Sequence, residues 1–258
     1  MEVRLLGAHQ GQSRDIGFMS ILVDGRLAID AGGLTTALTL GEQERVEAVL
    51  VTHRHFDHIK DLVGLAHNNW QVRSLHIYCI DDVRAALQTH VFNDVLWPTM
   101  SVQRDSFFPL TWHRVEAGVP LEVLGYRVTP IEVSHTVPAV GYMVEGDGGS
   151  FFYTADTRGD GDPPWAEIRP DLLIAETTME CANEPLAYTF GHMTPMSLGR
   201  ELRAFHARQG YYPRTVCVHI NPHQEAQVVR ELAVLAEELG AEIVPGREGM
   251  IWTVDGRR

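Results

Sequence analysis

With 258 residues, 45% of them apolar and 21% charged, the chain has the make-up of one globular enzyme domain over residues 1–258, not that of a disordered or low-complexity segment. A formal net charge of −13 argues against a large nucleic-acid partner, because such binding rests on Lys and Arg neutralising phosphates. No stretch approaches the length of a membrane span, Met1 to Leu6 carry no secretory pattern, and three scattered cysteines (Cys79, Cys181, Cys217) form no disulfide framework, so buried apolar thiols in a reducing cytoplasm are expected.

Residues 1–7 read as a short strand. Two apolar runs, Ile21 to Val23 and Leu27 to Ile29, flank Asp24-Gly25 and predict a hairpin that ends at Asp30-Ala31-Gly32. Helices are expected over 35–40 and 42–47, then a buried strand over 48–52 and a helix starting near Asp61. A strand over 75–80 leads to a helix over 81–90 capped by Asp81 or Asp82, and residues 91–120 look aromatic and irregular. Strands over 121–124 and 126–133 pair around Gly125, and 140–145 with 150–154 form a second hairpin. Residues 159–165 read as a loop. Short apolar runs at 171–175, 215–219 and 241–244 alternate with helices over 195–208 and 223–239. Strand clusters separated by helices in both halves predict an α/β fold, an αββα sandwich of two mixed sheets flanked by helices.

The chemistry concentrates in Thr52-His53-Arg54-His55-Phe56-Asp57-His58, directly after the predicted buried strand. Imidazole and carboxylate suit zinc and neighbouring divalent ions. In an extended turn His53 and His55 point the same way, and as the chain curls into a helix Asp57 and His58 can serve a second ion beside the first. His9, His67, His76, His113, His206 and His223 lie in no such pattern and read as surface or structural residues.

His53-x-His55-x-Asp57-His58 resembles the signature of the metallo-β-lactamase superfamily, and the resemblance runs along nearly the whole chain. Asp30-Ala31-Gly32 is similar to the strand end that precedes the signature, and Thr154-Ala155-Asp156-Thr157 to the later motif whose Asp bridges two metals. Ser134-His135 falls where the third ligand of the first metal is expected, and Val218-His219 resembles the final His ligand. The resemblance implies a first metal on His53, His55 and His135, a second on Asp57, His58 and His219, and Asp156 with a water or hydroxide between them. Asp30 is expected to orient a ligand. Zinc fits the donor set, and manganese or iron would be tolerated.

Within the superfamily, Phe190-Gly191-His192-Met193-Thr194-Pro195, Val218-His219-Ile220-Asn221-Pro222 and His90 to Pro98 resemble class II cyclic-nucleotide phosphodiesterases, with Asn221 where that family usually has Lys. Ala175-Glu176-Thr177-Thr178, Gly191-His192-Met193-Thr194, and His135 followed by Gly141-Tyr142 are similar to tRNase Z motifs, but Glu176 and His192 are too close in sequence to hold that family's long inserted arm. These resemblances imply hydrolysis of a small phosphodiester, a 3′,5′-cyclic nucleotide first of all. Asp57 would orient the attacking hydroxide, His192 would protonate the leaving oxygen, and Glu176 would keep His192 charged. His192, Thr194 and Asn221 are expected to contact substrate. Phe92, Val95, Leu96 and Trp97 read as core residues at helical spacing, and Tyr188 and Phe190 as candidates for a base pocket. The competing readings are a tRNA 3′-processing nuclease, a hydrolase of thioesters, lactones or β-lactams, and a metal-stabilised scaffold that binds nucleotides without cleaving them. A homodimer is implied by the resemblance alone.

Overall fold

The computed structural model describes residues 1–100, 108–160 and 164–256. The first half runs β1 (Glu2–Gly7), β2 (Ser20–Val23), β3 (Leu27–Ile29), α1 (Leu34–Ala37), α2 (Leu40–Gln43), β4 (Ala48–Leu50), α3 (Phe56–Ile59), α4 (Leu62–Asn69), β5 (Leu75–Cys79), α5 (Asp81–His90) and β6 (Leu110–Arg114). The second runs β7 (Leu121–Val123), β8 (Tyr126–Val133), β9 (Ala139–Gly146), β10 (Gly149–Tyr153), β11 (Leu172–Glu176), α6 (Glu184–Phe190), α7 (Pro195–Gln209), β12 (Arg214–Val218), α8 (Glu225–Leu239), β13 (Ile243–Pro245) and β14 (Ile251–Thr253).

The strands form two seven-stranded mixed sheets, ordered β14-β1-β2-β3-β4-β5-β6 and β13-β12-β11-β10-β9-β8-β7. Side-chain alternation builds the layers. In β4, Ala48 and Leu50 enter the core shared by both sheets, while Val49 faces the outer core with Leu34, Leu62, Leu65, Val83 and Leu87 from the helices. In β11, Leu172 and Ile174 face the shared core, and Leu173 and Ala175 meet α7 and α8. Both long helices answer with one apolar stripe, Leu198, Leu202 and Phe205 on α7 and Val228, Leu232 and Leu235 on α8. Each such buried side chain contributes about 1.5–3 kcal/mol of transfer free energy. The predicted αββα sandwich is therefore the observed fold.

Several local expectations change. The helices expected over 35–40 and 42–47 are single turns, because Leu38 is extended and Thr39 opens a new turn with a capping box to Glu42. Ile80, not Asp81 or Asp82, is the N-cap of α5; the two acids fill its first turn and pair with Arg114 and Arg54. Within the stretch read as irregular, Leu110 to Arg114 pairs in parallel with β5 as an edge strand, and residues 101–107 lie outside the described part. The helical spacing read into Phe92 to Trp97 is a turn held by the Asn93 side chain, which accepts from the backbone N–H of Val95 and Leu96. Phe92 is buried and Trp97 packs against the core, whereas Val95 and Leu96 are exposed. The loop expected over 159–165 includes residues 161–163, outside the described part, and Pro164–Glu167 forms a 3-10 turn. Cys79 and Cys217 are buried, but Cys181 is only half-buried. Among the described residues no helix is long and apolar enough to cross a membrane.

Leu202→Ala should lower the unfolding free energy by about 2–5 kcal/mol. Val234→Ala on the exposed side of α8 should stay within about 0.5 kcal/mol. Urea denaturation followed by circular dichroism measures both. Equal effects would mean that α7 is not seated against the sheet through this stripe.

Candidate metal centre

The ends of parallel strands deliver the site. The carboxyl ends of β3, β4, β8, β10, β11 and β12 lead straight into Asp30, His53, His135, Asp156, Glu176 and His219. His55 N-caps α3, and Asp57 and His58 lie in its single turn, so the one-turn helix aims two more side chains at the same pit. The backbone is bent to achieve this. Asp30, Ala155 and His219 all have positive φ, at 56°, 55° and 60°. Such conformations are uncommon for non-glycine residues and persist where surrounding structure enforces them. Gly32 lies so close that a Cβ there would sit 1.8 Å from the Asp57 carbonyl oxygen.

All seven side chains expected as ligands converge. Potential donor atoms of His53, His55, His135 and Asp156 lie within 4.8 Å of one another, as do those of Asp57, His58, Asp156 and His219. Asp156 Oδ2 is common to both groups, 3.6 Å from His53 Nε2, 3.3 Å from His58 Nε2 and 3.6 Å from His219 Nε2. Asp57 Oδ2 lies 3.1 Å from His219 Nε2, and His55 Nδ1 lies 3.1 Å from His135 Nε2. A groove of about 510 Å³ between α7 and α8, lined by Met196, Arg203 and Val234 among others, contains none of these side chains.

A second layer of hydrogen bonds turns the rings. His58 Nδ1 donates to Asp30 Oδ2 (2.7 Å), and His135 Nδ1 donates to the Gly191 carbonyl (2.8 Å). His53 Nδ1 meets Thr52 Oγ1 (3.0 Å), which donates to Asp30, and His219 Nδ1 meets Thr178 Oγ1 (2.9 Å), which donates to Glu176. In each case a partner on Nδ1 leaves the Nε2 lone pair for the pit. His55 is the exception and presents Nδ1. Asp30, expected to orient a ligand, holds His58 directly and His53 through Thr52. Thr52 and Thr178 went unnoticed in the sequence, although each directly adjoins a motif.

Electrostatics leave this set ready for cations. Burial above all pushes His53 well below its usual range, and His135 to about 4; His55 is lowered for the same reason. Asp57 resists the upward push of burial and falls to about 2, because His58 and His219 face it. Asp156 is likewise held well below the usual carboxylate range, against burial, by His219, His58 and His53. His58 goes the other way. Burial lowers it, but Asp156, Asp30 and Asp57 together raise it well above 6.5. Buried His53 Nε2, His58 Nε2 and Asp156 Oδ1 have no hydrogen-bond partner among the described residues. Imidazoles kept neutral at His53, His55 and His135, ionised carboxylates and orphaned buried polar atoms fit divalent metal ions, which would displace the proton favoured at His58.

Glu176, His192 and His219 form a third close group. It reads less well as a metal site, because the carboxylate of Glu176 is already saturated. Its Oε1 accepts from the N–H of Met193 and Thr157 and faces His192 Nδ1 at 3.2 Å, and its Oε2 accepts from the N–H and hydroxyl of Thr178. That fixed charge acts on His192. Burial draws the imidazole down, but Glu176, through charge and hydrogen bond, and Asp156 outweigh it and hold His192 at about 9. Gly191 at φ 82° ends α6 just before it, and a Cβ there would come within 2.5 Å of His135 Nδ1.

The remaining expected residues are placed differently. Thr194 is buried as the N-cap of α7, its hydroxyl donating to Glu184 and accepting from the Ser197 N–H. Asn221 uses Oδ1 to accept from the His223 N–H, and its amide nitrogen has no partner among the described residues. Arg158, overlooked in the sequence although it directly follows the Asp156-Thr157 motif, donates through Nη1 to the His135 carbonyl (3.1 Å) and through Nε to the Tyr188 carbonyl (2.9 Å).

Two predictions follow from the His58 surroundings. Adding Zn²⁺ to metal-free protein in weak buffer near neutral pH should release about one proton per chain, as the cation displaces the proton held by His58. Metal loading should therefore weaken as pH falls. Asp30→Asn should lower metal affinity by about 10- to 100-fold, because it loosens the ring it orients. Calorimetry with pH monitoring reads both, and an unchanged affinity would leave Asp30 with a role in folding only.

Comparison with known proteins agrees with this geometry. A model of the beta-lactamase superfamily domain matches residues 21–220. Ribonuclease Z of Bacillus velezensis is 31% identical over 104 residues, which make up 39% of this chain and 31% of the relative, so the match spans less than a third of that protein. Among solved structures, the metallo-beta-lactamase fold protein YhfI of Bacillus subtilis superposes with a TM-score of 0.76 at 18% identity, covering 98% of this chain and 99% of that one. Unliganded yeast PDE1 superposes with a TM-score of 0.79 at 17% identity, covering 97% and 98%. The domain match, the fold and the converging His and Asp side chains together place the chain in the metallo-β-lactamase superfamily of metal-dependent hydrolases.

Proposed function

We propose that the protein is a phosphodiesterase that hydrolyses a small phosphodiester, a 3′,5′-cyclic nucleotide first of all, to the monoester. The observation that carries this reading is the Glu176–His192 pair at the edge of the pit. A thioester, lactone or β-lactam hydrolase needs the pit but not a buried imidazole held charged at about 9 beside it. A ribose alkoxide is a poor leaving group and needs a proton as the P–O bond breaks. In this reading two divalent cations, zinc by donor type, would be held by His53, His55 and His135 on one side and by Asp57, His58 and His219 on the other, with Asp156 available to both. When bound, they supply Lewis acidity toward phosphate oxygens and a water of lowered pKa.

The chain's own residues do the rest. Asp57, ionised well below neutral pH, can accept a hydrogen bond from the attacking water and orient it. His192 offers Nε2, while Nδ1 stays against Glu176 Oε1. Protonated at neutral pH, it can donate to the leaving oxygen, and the Glu176 carboxylate stabilises the imidazolium until then. Asn221, with a free amide, and the buried cap residue Thr194 stay candidates for substrate contact, the latter through the loop it anchors. Three free thiols suit work in a reducing cytoplasm. A homodimer rests on family resemblance alone.

The Ribonuclease Z match favours a second reading, processing of the tRNA 3′ end. Against it stand the net charge of −13 and the short chain between Glu176 and His192. Small phosphodiesters should be cleaved with a far higher kcat/KM than precursor tRNA at physiological salt; the reverse order would establish the second reading.

His192→Ala should cut turnover of a cyclic nucleotide by about 100- to 10,000-fold, yet spare much of the activity on bis(p-nitrophenyl) phosphate, whose leaving group needs no proton. Metal content should not change. Equal losses on both substrates would assign His192 to phosphate binding or to the fold. Because the acid must carry its proton and Glu176 favours the charged imidazole, wild-type kcat/KM should show an alkaline limb set by His192. In Glu176→Gln the charge that raises His192 is gone and the downward pull of burial remains, so the alkaline limb should move to lower pH. An unmoved limb would separate Glu176 from the acid.

A further inference from the structure

The helix α6 has a composition that packing does not explain. Of its large apolar side chains, Leu186, Tyr188 and Phe190 are 47%, 53% and 52% exposed, and the buried residue of the helix is Ala187. Leu186 and Phe190, one turn apart, share one face of the helix, and Tyr188, two residues from each, presents the other. Phe56, directly after His55, is 68% exposed.

This surface is fastened to the pit. Gly191, next after Phe190, gives its carbonyl to His135 Nδ1 at 2.8 Å, and the His192 N–H donates to the Ala187 carbonyl at 2.8 Å. Arg158 ties the other side. Its guanidinium carbon sits 5.6 Å from the centre of the Tyr188 ring, while Nε bonds the Tyr188 carbonyl and Nη1 bonds the His135 carbonyl and Ser134 Oγ. The Arg158 backbone N–H also donates to the Ser134 carbonyl at 2.7 Å. The Tyr188 ring thus has one face against a cation and a fixed relation to His135, with half of its surface left to solvent. Stacking against an already positioned ring avoids most of the ordering cost of binding.

We propose that Tyr188, backed by Arg158, forms a stacking shelf for the nucleobase of a diester whose phosphate lies in the pit. This rests on the phosphodiesterase reading and names the part of the substrate that sets affinity. A flat base fits because every base has a π-face, and ring stacking tolerates base identity. One seven-residue helix beside a pit offers far less area than the roughly 1,000 Å² that a stable protein interface requires.

The test compares adenosine 3′,5′-cyclic phosphate with 1-O-methylribose 3′,5′-cyclic phosphate, which has the same ring and phosphate without a base. Wild-type protein should favour the base-bearing diester by about 5- to 100-fold in kcat/KM, mainly through KM, given the usual worth of base–aromatic stacking. In Tyr188→Ala that preference should shrink toward one, while Tyr188→Phe, and Phe190→Ala on the other face of the helix, should keep most of it. A preference untouched by Tyr188→Ala, or equal losses on both diesters, would overturn the shelf. If neither diester is cleaved, the functional reading fails, and the shelf is then judged by calorimetry on Zn²⁺-loaded protein. Adenosine 5′-monophosphate binding at least about fivefold tighter than ribose 5-phosphate, with the difference lost in Tyr188→Ala, would uphold it. Equal binding would overturn it, as would a concentration-dependent dimer that Tyr188→Ala dissolves.

Discussion

One ionised carboxylate, Asp156, sits fully inside the protein against three imidazole nitrogens within 3.6 Å, and much of the local structure exists to make that tolerable. An unpaired buried charge is costly by several kcal/mol. His58 faces this charge directly, and Asp156, Asp30 and Asp57 together draw its imidazole toward the protonated form against the pull of burial. The strained backbone at Ala155 and His219 belongs to this arrangement, since both residues turn out of a strand end at positive φ to bring their neighbourhoods onto one point. A relaxed β continuation would point the following side chains along the sheet instead of across it.

The rigidity around that point has a consistent chemical form. Two threonines, Thr52 and Thr178, each relay between a ring nitrogen and a carboxylate, and Asp30 and Glu176 are the carboxylates at the two ends. Asp30 also binds His58 directly, and Glu176 also faces His192. The two halves of the sandwich thus solve the same problem alike, one acid orienting pit histidines through a hydroxyl. The difference lies in the second imidazole. His58 points its free nitrogen at Asp156, whereas His192 stands at the rim with a nitrogen to spare for an incoming molecule. In the proposed reading, the orienting scheme serves a metal-donor set on one side and a proton donor on the other.

Much of this was legible in the sequence, for physical reasons that differ from residue to residue. His53, His55, Asp57 and His58 are close in the chain, so their chemistry showed in a single loop. His135, Asp156 and His219 come from strand ends far apart in sequence and could be picked out only through family resemblance. The layers followed from alternation in strands such as β4 and β11. The edge strand β6 was hidden because Leu110 to Arg114 is half-buried and carries His and Arg, without an apolar run. The helix α6 was hidden because it buries only Ala187 and so lacks the apolar stripe that betrays a helix. Thr194, expected at the substrate from its motif position, also fits the pattern of a helix start before Pro195, and the structure engages its hydroxyl as that cap. The role of Arg158 depends on carbonyls of residues 135 and 188, which no local pattern can reveal.

The acidity of the chain and the anionic substrate it is proposed to bind need not conflict. A net charge of −13 acts over the whole surface and is screened within about 10 Å at ordinary salt. At the pit the balance is local. Asp57 and Asp156 are the anions there, and in the proposed reading they are matched by the cations their donor set fits, by imidazolium at His192 and by the guanidinium of Arg158. On that reading long polyanions sample the whole surface and meet its repulsion, while a single phosphate reaching the pit meets mainly these positive groups, so an acidic exterior around a locally cationic site would select small anions over large ones. In the proposed shelf the exposed ring of Tyr188 adds affinity for such a molecule without adding charge, which would recruit the polyanions that the surface repels.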